Sequence, residues 1–151
     1  MEILFVCTGN TCRSVMAEAI FNSINTLPHF HSSSAGIFAI DGSKASKNAS
    51  EVVKNFLGID IKERNAVQIS KDMLEKNDLI LTMTDDIKNM LLCGFSDYKG
   101  KIHSLNEYTN INDGISDPYG GDKAVYEKTF SQIKNSILDL ISELKEGRGI
   151  Y

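Results

Sequence analysis

Residues 3–14 read ILFVCTGNTCRS, and the fold class can be predicted from this stretch. Its first five residues form a continuously apolar run that ends at Cys7, which is typical of a strand buried on both faces in a parallel sheet. A polar loop containing Gly9 follows, and a helical pattern of apolar residues begins at Ser14. A strand that leads through a short loop into a helix predicts an α/β fold. Ligands of such folds bind beyond the carboxyl ends of the strands, so the loop after Cys7 is the first candidate site.

The rest of the chain continues this alternation of strands and helices. Further strands are predicted at residues 31–35, 78–83 and 101–105, with one more short strand at residues 66–69. Helices are predicted at residues 14–28, 46–57, 70–76, 84–92 and 123–145, and Phe56 is expected to face the core. We therefore expect one α/β domain over residues 1–151. Its four-stranded parallel sheet should have the flavodoxin-like order 2-1-3-4, with helices on both faces.

The composition excludes several classes of protein. The chain has 151 residues, of which 42% are apolar and 24% charged, and its net charge is −4. No run of Lys and Arg offers a footprint for nucleic acid, and no segment approaches the roughly 20 apolar residues of a membrane span. The N-terminus lacks the basic start of a signal peptide. We expect a cytoplasmic monomer that binds neither nucleic acid nor membranes.

The loop from Cys7 to Ser14 combines a nucleophile with groups that bind an anion. Its amides can turn inward, the following helix contributes a positive end, and Arg13 offers a planar set of donors. This environment suits a tetrahedral oxyanion and favours the thiolate form of Cys7. The candidate phosphate-binding and loop-supporting residues are Thr8, Gly9, Asn10, Thr11, Cys12, Ser14 and Ser34. The alternative is that Cys7 is an inert buried thiol at the end of a strand.

Two segments about 100 residues apart resemble the low-molecular-weight protein phosphatases. They are CTGNTCRSVMAEAIF at residues 7–21 and ISDPYGG at residues 115–121. Ser34-Ala35-Gly36 and the segment at residues 78–84 extend the resemblance over the whole chain. An Asp-Pro pair in a polar loop is by itself typical of a turn. The resemblance gives Asp117 a chemical role instead.

The resemblance implies a mechanism in two steps. Cys7 attacks phosphorus, Arg13 and the loop amides hold the phosphoryl oxygens, and Asp117 protonates the leaving group. Asp117 then activates the water that hydrolyses the phosphocysteine, while Ser14 steadies the Cys7 thiolate. Tyr119 forms a wall of the substrate pocket. No metal and no cofactor take part, and Asp85, Asp86 and Asp113 are expected to be helix-start and surface charges.

The substrate is expected to be phosphoarginine in proteins. In this family Ile commonly follows the loop Asn in tyrosine-directed enzymes, whereas Thr stands there in the bacterial arginine-directed branch, as Thr11 does here. Tyr119 is followed by Gly120 instead of a second aromatic residue, and residues 81–84, LTMT, also resemble that branch. Hydrolysis of phosphotyrosine is the alternative. An arsenate reductase is disfavoured because it needs two later cysteines and only Cys93 is present.

A phosphate-binding module without catalytic activity would also use a cysteine loop after a strand. Such a module would not need a general acid placed by a separate loop, as Asp117 is. The motif pair therefore favours an enzyme over a binding module.

The other cysteines and the histidines are expected to have secondary roles. Cys12 either forms a reversible disulfide that protects Cys7 or fills space under the loop. Cys93 is expected to pack in the core. His29, His31 and His103 lack partners at metal-ligand spacing.

One segment departs from the family pattern. Many relatives carry a His and an Arg that support the loop where this chain has Arg64 and Val67. Ser34 is expected to supply part of the support for Asn10.

Overall fold

The part of the chain that the structure describes contains one four-stranded parallel sheet. The computed structural model describes residues 1–109 and 114–147. The strands are β1 (Glu2–Cys7), β2 (His31–Gly36), β3 (Leu79–Thr82) and β4 (Ile102–Ser104). They lie in the order β2-β1-β3-β4, and every neighbouring pair is parallel. The predicted α/β class and strand order are confirmed.

Within the described residues, five helices connect and cover the strands. They are α1 (Arg13–Ile24), α2 (Lys47–Leu57), α3 (Lys71–Lys76), α4 (Asp85–Gly94) and α5 (Lys123–Lys145). Helices α1, α2 and α5 pack against one another, whereas α4 packs against β3 and β4. Two short 3-10 turns lie at Ser96–Tyr98 and Leu105–Glu107. None of the helices in the described ranges is long and apolar enough to cross a membrane.

The core is formed around the central strand. Residues 3–6 of β1 are fully buried because strands flank β1 on both sides and helices cover it. Phe5 lies near Phe21 of α1, with 6.0 Å between the ring centroids. Helix α5 adds the buried side chains Ile133, Ile137 and Leu140 at intervals of three and four residues, which is the spacing of one helical face. This packing holds the carboxyl end of β1 in a defined place.

The start of α1 differs from the starts of the other four helices. A side-chain oxygen accepts a hydrogen bond from the first turn of α2, α3, α4 and α5, and the capping residues are Ser46, Ser70, Thr84 and Asp122. At α1 the capping position holds Cys12, which makes no such bond, and the first turn has no acidic residue. The first amides and the positive end of α1 are therefore available to an anion.

Three expectations about local structure are wrong. Residues 66–69 form no strand, and only Gln68 makes a single bridge, to Gly36. Phe56 is 58% exposed because it lies in the last turn of α2, where its ring stacks on that of Phe130 with 5.2 Å between the centroids instead of entering the core. Cys93 is exposed because α4 buries Ile87 and Leu91, and two residues after Leu91 the helix has turned to its other side.

Candidate active site

Cys7 ends β1 with its side chain buried at 2% exposure. Its Sγ lies 2.8 Å from Ser14 Oγ and accepts a hydrogen bond of 3.2 Å from the amide of Asn10. Ser14 Oγ itself accepts from Asn10 Nδ2 at 2.8 Å, which leaves the serine hydrogen free to point at the sulfur. Two donors therefore converge on Sγ, and donors of this kind stabilise a thiolate.

Asn10 holds the loop in its bend. It is fully buried and has a φ of 57°, in the left-handed region that Asn tolerates better than most residues. Its Nδ2 donates to Ser14 and to Ser34 Oγ (3.0 Å), and its Oδ1 accepts from Arg64 Nη1 (3.0 Å) and from the amide of Val67 (2.9 Å). Every hydrogen-bonding position of the side-chain amide is thus occupied.

Arg64 and Glu18 extend this support outward. Arg64 Nη2 donates to Ser34 Oγ at 2.7 Å and pairs with Glu18 Oε1 at 3.2 Å. Ser34 in turn donates to Glu18 Oε1 at 2.9 Å. The departure from the family pattern at residue 64 therefore does not leave Asn10 unsupported, because the guanidinium reaches it directly. In the sequence, Arg64 stood out only as a departure from the family pattern. Glu18, which lies one turn after Ser14 on α1, was not identified.

Gly36 permits the close approach of β2 to the loop. A Cβ at this position would lie 2.6 Å from the carbonyl oxygen of Thr8 and 2.9 Å from the amide nitrogen of Asn10. Real Cβ atoms do not approach backbone atoms so closely, so only glycine fits here. The neighbouring Ile37 and Phe38 amides donate to the carbonyls of Cys7 and Thr8. The loop is thereby attached to the end of β2.

Arg13 lies buried between the loop and residues 115–117. It is 5% exposed, its Nη1 donates to the carbonyl of Ile115 at 3.0 Å, and its Nη2 lies 3.6 Å from Asp117 Oδ2. The Asp117 side chain is 54% exposed. Its Oδ1 accepts a hydrogen bond from the amide of Tyr119 at 3.0 Å. The structure therefore brings Asp117 to the loop that holds Cys7 and Arg13, although about 100 residues separate them in the sequence.

Cys12 contacts a cluster of hydroxyl groups at the edge of the loop. Its Sγ lies 3.2 Å from the hydroxyl of Tyr126 and donates to Ser46 Oγ at 3.5 Å. Burial raises the pKa of Tyr126 to about 12, and the hydrogen bond to Cys12 acts in the same direction. Cys7 and Cys12 are both free thiols in this structure. Its place on the apolar face of α5 is the only feature of the sequence that pointed to Tyr126.

A cavity of 560 Å³ opens onto these groups. Its wall includes Thr11 and Tyr119, as the resemblance implied, and also Phe38, Ile40 and Lys44 from the segment after β2. Phe38, Ile40 and Tyr119 are 67%, 72% and 81% exposed, so they form a rim at the mouth. The sequence did not identify Phe38 and Ile40 because exposed apolar residues in a loop have no periodicity to mark them.

Asp85, Asp86 and His103 do not line this cavity. Asp85 and Asp86 stand in the first turn of α4, as expected, and Asp113 lies outside the described residues. Within residues 1–109 and 114–147, no group of His, Cys, Asp and Glu could hold a metal ion. His103 lies beside Glu107, with 3.1 Å between Nδ1 and Oε2.

The arrangement combines three chemical capacities in one cavity. A sulfur with two converging donors can act as a nucleophile, and the uncapped start of α1 with the Arg13 guanidinium can hold an oxyanion. A carboxylate at the mouth can give a proton to a leaving group or take one from water. These capacities together suit displacement at a phosphoryl group.

Comparisons with known proteins agree with this chemistry. Residues 2–149 match the family model described as low molecular weight phosphotyrosine protein phosphatase. A protein-arginine-phosphatase of Bacillus subtilis (strain 168) is 34% identical over 152 residues, which cover 98% of this chain and 99% of the relative.

Solved structures show the same fold. The low molecular weight protein tyrosine phosphatase from T. tengcongensis has a TM-score of 0.90 at 39% identity, with 95% of this chain and 99% of that chain covered. A structure of an arginine phosphatase has a TM-score of 0.89 at 32% identity, with both chains covered completely. That protein is a cysteine-to-serine mutant in which the active-site serine is phosphorylated.

Proposed function

We propose that this chain, which belongs to the low molecular weight phosphotyrosine protein phosphatase family and is a phosphatase, hydrolyses phosphoarginine in proteins. The observation that carries the proposal is the placement of Thr11 and Asp117 in the wall of the cavity that contains Cys7. A hydroxyl and a carboxylate beside the phosphate cradle suit a polar, cationic guanidinium better than an aromatic ring.

In the first step the Cys7 thiolate attacks phosphorus in line with the bond to the leaving nitrogen. The P–N bond breaks as the S–P bond forms, and its electron pair goes to nitrogen. Asp117, in its protonated form, gives its proton to that nitrogen. Arg13 and the first amides of α1 hold the equatorial oxygens, where negative charge is concentrated in the transition state.

In the second step water hydrolyses the phosphocysteine. Asp117 is now a carboxylate and takes a proton from the attacking water. The S–P bond breaks, and the Ser14 hydroxyl stabilises the departing thiolate through the 2.8 Å contact with Sγ. A covalent intermediate on the nucleophile is supported by the related arginine phosphatase structure, whose active-site serine carries phosphate.

Hydrolysis of phosphotyrosine is the second candidate. The apolar rim formed by Phe38, Ile40 and Tyr119 favours it, because such side chains can pack on an aromatic ring. The relative from T. tengcongensis is named as a tyrosine phosphatase. Overall identity does not separate the two candidates, since relatives of both kinds are similar to the chain over nearly its whole length.

The test measures kcat/KM for a phosphoarginine protein and a phosphotyrosine protein at matched concentrations. The parent should be faster on phosphoarginine. Thr11→Ile should move the ratio of the two values toward phosphotyrosine by about tenfold, because an apolar side chain replaces a hydrogen-bonding hydroxyl in the cavity wall. A parent that is faster on phosphotyrosine would contradict the proposal.

Two control variants complete this experiment. Thr26→Ile makes the same replacement at an exposed position away from the cavity and should leave the ratio unchanged. Cys7→Ser should lose turnover of both substrates by at least about 10⁴-fold, because the hydroxyl is a far weaker nucleophile at neutral pH.

We also propose that Cys12 protects Cys7 by forming a reversible disulfide after oxidation. Peroxide would convert the Cys7 thiolate to a sulfenic acid, and attack by Cys12 sulfur would form the disulfide and release water. A thiol reductant should then restore activity in the parent but not in Cys12→Ser. Equal recovery of both proteins would exclude the role.

We expect the protein to work as a cytoplasmic monomer on phosphorylated proteins. We also expect it to bind no nucleic acid, and the net charge of −4 without a basic run supports this last point. Sedimentation at micromolar concentration would test the oligomeric state.

A further inference from the structure

The turn that carries Asp117 is held together by its own hydrogen bonds. Asp117 Oδ1 accepts from the amide of Tyr119 at 3.0 Å, and the amide of Gly121 donates to the carbonyl of Pro118 at 2.8 Å. Gly120 closes the turn with a φ of 79°. The carboxylate therefore moves with residues 117–121 as a unit, and its position depends on where this unit is attached to the rest of the protein.

The upstream attachment is made by residues of the site itself. The amide of Ile115 donates to the carbonyl of Met83 at 2.9 Å, and the carbonyl of Ile115 accepts from Arg13 Nη1 at 3.0 Å. This end of the turn is thus tied to the segment after β3 and to the arginine of the phosphate-binding loop.

The downstream attachment is made by α2. Asn48 Nδ2 donates to the carbonyl of Gly121 at 3.2 Å. Gly121 also lies close to α5, because a Cβ there would lie 2.8 Å from Val125 Cγ1. The same Cβ would lie 2.9 Å from the carbonyl of Pro118 in the turn itself. Close packing fixes the distance of Gly121 from α5. The hydrogen bond from the Asn48 amide fixes its distance from α2.

The same end of α2 also contacts the phosphate-binding loop. The amide of Ser46 donates to the carbonyl of Thr11 at 2.9 Å, and Cys12 Sγ donates to Ser46 Oγ at 3.5 Å. Residues 46–48 therefore touch the loop that holds the nucleophile and the turn that holds the carboxylate. A single helical turn connects the two halves of the site.

We propose that Asn48 is a positioning residue for Asp117, and that it places the carboxyl group where it can protonate the leaving group. The inference rests on the proposed role of Asp117 as the general acid. Asn48 does not contact the reacting atoms. It acts through Gly121, and the first end of α2 sets the separation between the nucleophile and the acid.

The experiment varies how strongly the leaving group needs a proton. 2,4-Dinitrophenolate departs without protonation, whereas phenolate departs slowly unless an acid protonates it. We would measure kcat/KM, which reports the steps up to phosphocysteine formation, for 2,4-dinitrophenyl phosphate and phenyl phosphate. Asn48→Ala should lower the value for phenyl phosphate by about tenfold and the value for 2,4-dinitrophenyl phosphate by less than about twofold. Equal losses on both substrates, or no loss on phenyl phosphate, would overturn the inference.

Matched variants separate positioning from a general effect on the helix. Asn55→Ala makes the same replacement at an exposed position of α2 and should change neither value. Asn48→Asp keeps the size of the side chain but has no amide donor for the Gly121 carbonyl, so it should reproduce the selective loss. Ala is the better helix former, which offsets the lost hydrogen bond to Gly121, so Asn48→Ala should fold with a thermal stability close to that of the parent.

Asp117→Asn distinguishes failure of the inference from failure of the proposed function. It should lower kcat/KM selectively for phenyl phosphate, as Asn48→Ala does, but by a larger factor of about a hundredfold or more. If Asp117→Asn affects both substrates equally, the acid role itself is wrong. If Asp117→Asn is selective and Asn48→Ala is not, the acid role stands and the positioning role of Asn48 is wrong.

Discussion

The two loops of the active site are stabilised in different ways. In the phosphate-binding loop Asn10 is fully buried and uses every hydrogen-bonding position of its amide, and Cys7 is 2% exposed. In the acid turn the Asp117 side chain is 54% exposed, and attachments at Ile115 and Gly121 hold the turn at its two ends. A cradle for an oxyanion must be arranged before the substrate binds, because rearranging its dipoles during the reaction would cost free energy. A group that meets the leaving group must instead remain accessible.

The largest effect is expected where β2 meets the phosphate-binding loop. Gly36→Ala would place a Cβ 2.6 Å from the carbonyl oxygen of Thr8, so the loop must move by nearly 1 Å to reach an ordinary contact of 3.4 Å. A displacement of that size can cost about a hundredfold in kcat/KM, and the strain should lower the free energy of unfolding by about 2 kcal/mol. Enzyme kinetics and denaturant unfolding measure the two effects.

Gly94→Ala is the control for this variant. A Cβ at Gly94 meets nothing within 4 Å, so activity and stability should remain unchanged or rise slightly. Wild-type activity in Gly36→Ala would show that the phosphate-binding loop tolerates displacement. The proposed difference between a rigid phosphate-binding loop and an exposed acid turn would then be wrong.

A smaller effect is expected from the outer support of the same loop. Arg64→Met would remove a donor to Asn10 Oδ1 and to Ser34 Oγ and would leave Glu18 without its ion pair. We expect kcat/KM to fall by about tenfold, because Asn10 orients the Ser14 hydroxyl toward Cys7 and is itself less restrained. Alkylation of Cys7 by iodoacetamide at pH 7 should become slower, since the Ser14 hydroxyl is held less firmly against the sulfur.

Lys62→Met removes a cation from the same segment at an exposed position and serves as the control. It should leave both kcat/KM and the alkylation of Cys7 unchanged. The same loss in Lys62→Met as in Arg64→Met would mean that general charge, not the hydrogen bonds to Asn10 and Ser34, is responsible.

The smallest effect concerns Tyr126, whose hydroxyl contacts Cys12 below the loop. Its pKa is raised from 10.0 to about 12, so the folded state retains a proton that the unfolded state releases above pH 10. The resulting stability is present in full below pH 10 and is lost as the pH rises from 10 toward about 12. This loss should be absent in Tyr126→Phe. Between pH 8 and pH 11 the unfolding free energy of the variant should therefore fall by about 1 kcal/mol less than that of the parent.

Denaturant unfolding at pH 8, 10 and 11 would measure this difference. Tyr119→Phe, at an exposed tyrosine, should follow the parent curve at all three pH values. Parallel curves for the parent and Tyr126→Phe would mean that the buried hydroxyl does not couple folding to pH.

Much of the fold and part of the site could be predicted from the sequence because local signals were strong. The apolar run of residues 3–7 identified the central strand, and the Ser and Thr caps marked the starts of α2, α3 and α4. The nucleophile, the cradle and the start of α1 lie within eight consecutive residues, so their proximity is assured by the chain itself. Asp117 was identified only through its motif, since an Asp-Pro pair is ambiguous alone.

Other features could not be predicted because they depend on contacts between distant segments. Arg64 is 54 residues from Asn10, and nothing in its own neighbourhood indicates that the guanidinium reaches the loop. Cys93 was wrongly placed in the core because a short amphipathic helix allows more than one choice of buried face, and packing on β3 and β4 selects it.

Local patterns in the chain are sufficient to predict the succession of strands and helices, the phosphate-binding loop and the kind of ligand that this loop attracts. These follow from periodicity, caps and residues that are neighbours in the chain. Contacts between distant segments set which groups support Asn10 and where Asp117 lies relative to Arg13. They also place Ser46 and Asn48, at the start of α2, against both loops. The reason is physical: positions of side chains from separate elements are set by packing of the whole core, which no local pattern encodes.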